Sequence, residues 1–245
     1  MEKTLFLILL LISFCSGTAQ VKKEYYEDGL LKSEGNYVKE AKDGVWKYYS
    51  KYGPLNEIGN YKKGKRIGEW KFYPAMGGEI GGMEVSGYYE KDLKVGEWKT
   101  YLKDKNTGEY NYLFSSTEYA KGKENGKLKL YGPTKQVMMS VDIIDGKKTG
   151  KGHRYTKSGQ LENTFTLMDG KEHGEAISYH KNGQKHQTIL YENGLYKTVI
   201  SCFNNKGEAL DKGTLLNGNG TIHSYDEDGK LKNTVTYENG KRKKI

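Results

Sequence analysis

The stretch Asp43–Tyr73 reads DGVWKYYSKYGPLNEIGNYKKGKRIGEWKFY, and it says nearly the same thing twice: GVWKYY at Gly44–Tyr49 returns as GEWKFY at Gly68–Tyr73. The glycine that opens the phrase recurs at Gly44, Gly68, Gly96, Gly126, Gly150, Gly174 and Gly220, with a worn copy at Thr198, and the dominant step is 24 residues. Five residues after each stands an aromatic: Tyr49, Tyr73, Tyr101, Tyr131, Tyr155, Tyr179, Phe203 and Tyr225. A second column falls halfway between, at Tyr37, Tyr61, Tyr89, Tyr119, Ile143, Leu167, Tyr191, Leu215 and Tyr237. Two columns kept in step over this length identify an internal repeat.

The punctuation within each unit predicts its shape. In the C-terminal half, pairs such as Asp145-Gly146, Asp169-Gly170, Asn182-Gly183, Asn193-Gly194 and Asn239-Gly240 arrive every 11 to 13 residues. Such pairs accept positive φ at little cost, as tight hairpin turns require. One hairpin per unit, with turns alternating between two edges, gives an all-β, single-layer, twisted antiparallel meander. Composition agrees: 32 glycines, 21 tyrosines, only 3 prolines, 35% hydrophobic residues and a mean hydropathy of −0.84 describe turns joining aromatic-rich strands over a thin core. A lone hairpin is too small to be stable, so each unit must pack against its neighbours. Trp46, Trp70, Trp98, Leu128, Ala176, Ile200 and Ile222, each two residues after the opening position, share one face by strand alternation and are read as packing residues. Sugar stacking by the three tryptophans is the alternative reading.

The units DGVWKYYSKYGPLNEIGNYKKGK, HGEAISYHKNGQKHQTILYENG and GTIHSYDEDGKLKNTVTYENGK resemble MORN-type repeats, in the longer bacterial variant with an Asn-Gly or Asp-Gly turn in mid-unit. The resemblance covers about Tyr25 to Lys241. It implies an elongated β-hairpin array used mainly for protein–protein association and, by proposal, for phospholipid contact; some relatives are labelled antitoxin-like. The third and fourth units and the worn unit at Thr198 depart from the pattern.

The departures point to a contact surface. Between the two aromatic columns the usual gap is 12 residues, but it is 16 from Tyr73 to Tyr89 and 18 from Tyr101 to Tyr119. The insertions, residues 74–87 (PAMGGEIGGMEVSG) and 102–117, fall in the same kind of turn and so project side by side from one edge. The second holds EYNYLF, in which Tyr110, Tyr112 and Phe114 alternate as on a longer hairpin. Loops that break a repeat are where specificity usually resides, although a turn also tolerates a neutral change of length. Lys47, Lys71, Lys99 and Lys129 each precede a column tyrosine by two residues, which places a lysine–tyrosine stripe on one face with copies about 10 Å apart. Repeated cations and rings suit an anionic partner; lysines on exposed strands also protect against edge pairing. Lys71, Tyr73, Lys99, Tyr101, Tyr110, Tyr112 and Phe114 are therefore the candidate binding residues, and the regular units after Gly150 mainly extend and cap the array.

No catalytic constellation is found. A single-layer meander makes a poor concave site, and there is no phosphate-binding lysine loop, HExxH, paired CxxC or nucleophile elbow. No cofactor and no metal are expected. If Asn182-Gly183 forms a two-residue turn, His180 opposes Lys185 and Tyr179 opposes His186, which sets the two histidines on opposite faces. Cys202 reads as a small packed residue. The expected activity is a non-catalytic protein-binding scaffold, with an envelope-surface binder of anionic phospholipid or cell-wall polysaccharide as the alternative. Nucleic acid is not an expected partner despite the net charge of +9, because an exported basic protein meets acidic lipid, polysaccharide and protein first.

Export itself is read from the start of the chain. MEKTLFLILLLISFCSGTAQ carries Lys3, an apolar run over Leu5–Phe14 and small residues at Gly17-Thr18-Ala19, which describes a signal peptide over residues 1–19 and a periplasmic, envelope or extracellular destination. Cys15 raises lipidation as an alternative, but the bulky Phe14 stands where a lipoprotein signal has a small residue. Cleavage after Ala19 should leave Gln20 as the mature N-terminus, checked by N-terminal sequencing or intact mass; a diacylglycerol-modified Cys15 would overturn it.

Overall fold

Aromatic and charged residues alternating along short glycine-punctuated phrases can bury one side of a strand only if another strand lies beside it, and the structure is that requirement repeated. The computed structural model describes residues 20–73, 83–104 and 107–243. Its strands are β1 (Gln20–Tyr25), β2 (Leu31–Val38), β3 (Ala41–Tyr49), β4 (Leu55–Lys62), β5 (Lys65–Phe72), β6 (Met83–Glu90), β7 (Leu93–Leu102), β8 (Tyr112–Ala120), β9 (Lys123–Tyr131) and β10 (Val137–Ile144). They continue as β11 (Lys147–Tyr155), β12 (Leu161–Met168), β13 (Lys171–Glu172), β14 (Gly174–Tyr179), β15 (Lys185–Glu192), β16 (Leu195–Cys202), β17 (Gly220–Tyr225), β18 (Leu231–Glu238) and β19 (Lys241–Arg242). No helix occurs among the described residues. The first sixteen strands form one open antiparallel sheet in chain order, with β13 a short spur on β12, and β17–β18–β19 form a second sheet. The fold is an open meander of β-hairpins, not a closed barrel.

The turns are of two kinds. Along one edge both central residues have positive φ, as at Lys63-Gly64 (49° and 76°), Asp145-Gly146 (50° and 83°) and Asn193-Gly194 (52° and 82°), the geometry of two-residue hairpin turns. These turns are stapled to one another: the N–H groups of Gly64, Gly146, Gly170 and Gly194 donate to the carbonyls of Lys42, Glu124, Lys148 and Glu172, each at 2.8 Å. Along the other edge only the glycine is left-handed, as at Gly159 and Gly183, and the register slips by one beside the loop. Asn182-Gly183 lies on this second edge, which corrects the sequence expectation for the histidines. Tyr179 pairs with Lys185 and Ser178 with Gln187, so His186 is the extra residue of a bulge and swings to His180, with ring centroids 4.6 Å apart.

In the three tryptophan phrases the opening glycine is also a bulge. Asp43 and Trp46 face the consecutive residues Asn36 and Gly35, which leaves Gly44 and Val45 as the excess, and Gly44, Gly68 and Gly96 have φ of 76°, 65° and 66°. A side chain at that φ is strained. The bulge delivers the tryptophan two residues on to the packed face. There, cross-strand pairing makes one transverse row: Gly35, Trp46, Gly59, Trp70, Gly87, Trp98. A Cβ at Gly35, Gly59 or Gly87 would lie 2.1–2.3 Å from an indole carbon of Trp46, Trp70 or Trp98, so each indole lies flat on a bare patch of the preceding strand. Tyr37, Tyr61, Tyr89 and Tyr119 stand edge-on to the indoles at 5.1–6.1 Å, and Tyr48 and Phe72 stack beside them. Under these rings Trp46 and Trp70 are 0% exposed and Trp98 4%, in a sheet one layer thick. Trp46, Trp70 and Trp98 are packing residues, as expected from their spacing.

The array is not continuous to the end of the chain. In the worn unit Val199 is buried and Ile200 is 42% exposed, the reverse of the simple alternation, because bulges at Thr188/Ile189 and Leu190/Tyr191 shift the register of β15 on β16. Between Cys202 and Gly220 there is no further strand, only the bridges Phe203–Ala209 and Leu216–Asn219. This segment folds back so that Leu215 joins Val199 and Ile222 in a small core lined by Ile189, Tyr196 and Tyr237. Cys202, at the end of β16, is buried as a free thiol, pushed up from its ordinary pKa by burial.

Two outcomes follow from these contacts. Gly59→Ala should cost about 1–3 kcal/mol in urea unfolding, because the new methyl must displace the Trp70 ring in a packed row; an unchanged midpoint would mean the ring does not rest there. Burial first, and then the charge of His180, hold the His186 imidazole below its ordinary value of 6.5. A base whose folded pKa is depressed stabilises the fold fully above 6.5 and loses that contribution as pH falls through 6.5 towards the folded value. The wild-type denaturation midpoint should therefore fall between about pH 7 and about pH 5, and His186→Phe should flatten that dependence.

Candidate binding surface

The face opposite the tryptophans carries the lysine–tyrosine stripe, and it is not a bare run of positive charge. Lys47 lies across from Glu34, with Nζ 3.6 Å from Oε1, and Lys23 approaches the same carboxylate at 3.9 Å. Tyr49 donates its hydroxyl to Glu34 at 2.8 Å; that bond first, then Lys47 and Lys23, holds the Glu34 carboxyl below its usual range. Lys71 pairs with Glu84 at 3.6 Å and Lys99 with Glu97 at 3.2 Å. Burial raises the Glu97 carboxyl, yet the Ser116 hydroxyl and Lys99 outweigh it and leave the group below its usual range. At Lys47, Lys71 and Lys99 the stripe is thus a set of partly exposed ion pairs, each worth little in stability and each offsetting the field of its own lysine. Sequence spacing located the lysines but not these carboxylates, which come from neighbouring strands or from the bulge position beside the tryptophan.

At the edge where the insertions fall, the structure brings some of the expected residues together. The rings of Tyr73 and Tyr110 lie 5.7 Å apart at 47°, so the tyrosine closing one phrase touches the loop of the next unit. Burial raises the Tyr73 phenol above its ordinary pKa. Lys103 sits 5.9 Å from the centre of the Tyr110 ring. Tyr101 pairs with Leu113, and Phe114, left over between Leu113 and Ser115, is a bulge residue exposed to 42%. Tyr112 turns away from this group and donates to the Tyr131 carbonyl at 3.5 Å. The insertions are also narrower than their sequence bounds. Met83–Gly87 already belongs to β6 and Tyr112–Thr117 to β8; a turn closed by Asp104 N–H to the Glu109 carbonyl at 2.7 Å remains between β7 and β8. Pro74–Gly82 lies outside the described residues.

The tryptophan face has a rim that spacing alone did not single out. Lys42 lies 4.2, 5.0 and 5.4 Å from the ring centres of Trp46, Tyr48 and Tyr61 and donates to the Tyr48 hydroxyl at 2.8 Å. Arg66 covers Tyr89 at 4.2 Å, and Lys94 covers Trp98 at 4.0 Å and Tyr119 at 4.9 Å. Burial among those rings lowers the Lys94 ammonium below its ordinary pKa. The available signal was a basic residue two before the glycine and four before a tryptophan, in KDGVW, RIGEW and KVGEW; Lys148 stands at the same place before Gly150, where no tryptophan follows. Such cation–ring contacts close the aromatic face against water.

Among the described residues His180 and His186 lie beside each other with no third ligand-type side chain grouped with them. His180 donates its Nε2–H to the Phe203 carbonyl, 2.9 Å away, and His186 Nε2 has no partner among the described residues. Among the described residues no three His, Cys, Asp or Glu side chains are grouped as metal ligands. Asp226 in the acidic turn DEDG accepts from the N–H groups of Asp228 and Lys230, the ordinary work of a turn residue.

No family model matches the chain, and no curated protein matches it. Among solved structures, a protein of unknown function from Bacteroides fragilis NCTC 9343 aligns at 8% identity over 73% of this chain and 96% of its own, with a TM-score of 0.15.

Proposed function

We propose that the chain is an exported, non-catalytic MORN-type repeat protein of the bacterial envelope or exterior, and that it acts as a protein-binding scaffold. The observation that carries this reading is the charge pairing on the stripe. Lys47, Lys71 and Lys99 each spend their charge on Glu34, Glu84 and Glu97, which weakens a track for an anionic lipid surface or an acidic polysaccharide. What stands out beside them is aromatic: Tyr73 against Tyr110, with Phe114 exposed on its bulge. Rings held at a loop edge beside compensated charges suit a protein partner, where buried aromatics supply affinity and rim ion pairs supply orientation. The open single-layer sheet behind them suits a supporting surface better than a concave reaction site.

The test is capture of a partner by crosslinking in intact envelope, repeated with Tyr110→Ser combined with Phe114→Ser. Each ring anchor contributes about 2 kcal/mol when buried in an interface, so the double variant should lose capture while its melting temperature stays within a few degrees of the parent. Neither ring belongs to the tryptophan row. Retention on anionic liposomes or cell-wall polymer that collapses at moderate salt, with the double variant unaffected, would overturn the scaffold reading in favour of a surface binder.

A further inference from the structure

The two ends of the long sheet are treated differently. At the β16 end the chain covers its own edge: Leu210 N–H donates to the Cys202 carbonyl at 2.9 Å, Gly218 N–H to the Lys197 carbonyl at 2.8 Å, and Tyr196 N–H to the Gly240 carbonyl at 3.1 Å. Lys212 adds its ammonium to the Ile200 carbonyl at 3.0 Å. At the other end β1 pairs with β2 on one side, and among the described residues no strand lies along its outer side. An edge strand with unpaired N–H and C=O groups is a template for one more strand.

We propose that a second copy of this chain supplies that strand, by antiparallel pairing of β1 with β1 about a two-fold axis through Lys23. In that register Val21 faces Tyr25 of the other copy and Lys22 faces its Glu24, and the two-fold makes each pair twice. Val21 and Tyr25 are 59% and 58% exposed in the single chain, a large apolar exposure for one short strand, and pairing would bring them together. Lys22 and Glu24 form the opposite-charge cross-strand pair that antiparallel sheets favour. The like-charged contact of Lys23 with its own copy is moderated because each Lys23 already lies 3.9 Å from Glu34 of its own chain. Adjacent lysines on an edge ordinarily discourage pairing. Here Glu24 converts that protection into a preference for one partner in one register.

The symmetry has a structural consequence. Lys22 lies over the Tyr37 ring at 5.3 Å and Glu24 accepts from Ser33 at 2.9 Å, so both are on the tryptophan face, while Lys23 is on the face of Glu34 and Tyr49. A two-fold axis perpendicular to the sheet places both tryptophan faces on the same side, and the dimer presents one aromatic surface of double length. Closure at two copies follows, because the other end of each sheet is already covered.

Six-residue strands make a small interface, so association should be weak and concentration-dependent. The test is sedimentation equilibrium of the chain starting at Gln20, which holds every described strand, from about micromolar to about millimolar concentration. The mass should rise from one copy to two and stop there. Lys22→Glu and Glu24→Lys should each weaken the dimer by about tenfold, and the two together should restore it to within about threefold by exchanging the partners of each pair. A monomer throughout the range, growth beyond two copies, or a dimer indifferent to both single reversals would overturn the proposal.

Discussion

An indole lying flat on a glycine of the neighbouring strand is the contact on which the rest of this structure depends. A sheet one layer thick has no second layer to bury its hydrophobic face, so burial must be found within the thickness of a side chain. Glycine at positions 35, 59 and 87 removes the Cβ that would hold a ring away from the backbone, and Trp46, Trp70 and Trp98 then settle onto the preceding strand, beneath tyrosines and cationic side chains. All three indoles lean the same way, toward the N-terminal neighbour. The sheet is tiled rather than stacked, and each hairpin is held by the one that follows it. This is the nearest-neighbour coupling expected of a one-dimensional repeat, given a direction by the lean of its rings.

The row changes its chemistry after the third tryptophan without changing its geometry. Trp98 faces Thr117, and the row runs on through Leu128 and Val141 to Gly152. Gly152 now occupies the position that earlier held tryptophan, and the ring comes from the other strand: a Cβ at Gly152 would lie 2.2 Å from a ring carbon of Phe165. Glycine and ring have exchanged strands, and the lean is again toward the preceding strand. What the fold conserves across units is the pairing of a bare backbone with a planar side chain, not the placement of either residue in the repeat.

That distinction explains how much could be read from the sequence. The 24-residue step, the aromatic columns and the packed face of Trp46, Trp70 and Trp98 follow from periodicity, and all are present in the fold. The glycines at 35, 59 and 87 are equally periodic, but their purpose depends on a residue 11 positions away across a bulged hairpin, which local pattern does not express. The same bulges caused the errors of face. Strict alternation puts His180 and His186 apart and Ile200 inside; one extra residue in the ladder brings the histidines into contact and exchanges Ile200 for Val199. At the candidate surface, Lys71 and Lys99 were legible as a column, whereas Glu84, paired through a strand that follows an insertion of unusual length, was not. Tyr73 and Tyr110 meet because a loop folds back, and no spacing rule specifies that.

The position two before each opening glycine shows how a repeat of this kind is brought to an end. In the tryptophan units it holds Lys42, Arg66 and Lys94, whose charges lie over the rings and whose stems exclude water from them. In the next unit it is Glu124, which accepts from the Tyr119 hydroxyl at 2.9 Å; burial first, and then that bond, push the phenol up to about 12. In the worn unit it is Tyr196, whose ring lies 4.7 Å from Tyr191 and 4.6 Å from Tyr237. A cation at this position leaves a rim that water can reach, which suits a unit in the middle of an open sheet. A ring there instead offers apolar surface to whatever folds back, and it is Tyr237 of β18 that packs on it while the Tyr196 N–H donates to Gly240. Tyr196, reached in this column after Glu124, Lys148 and Glu172, thus gives β16 an edge that accepts the hairpin of β17 and β18, and the long sheet stops there.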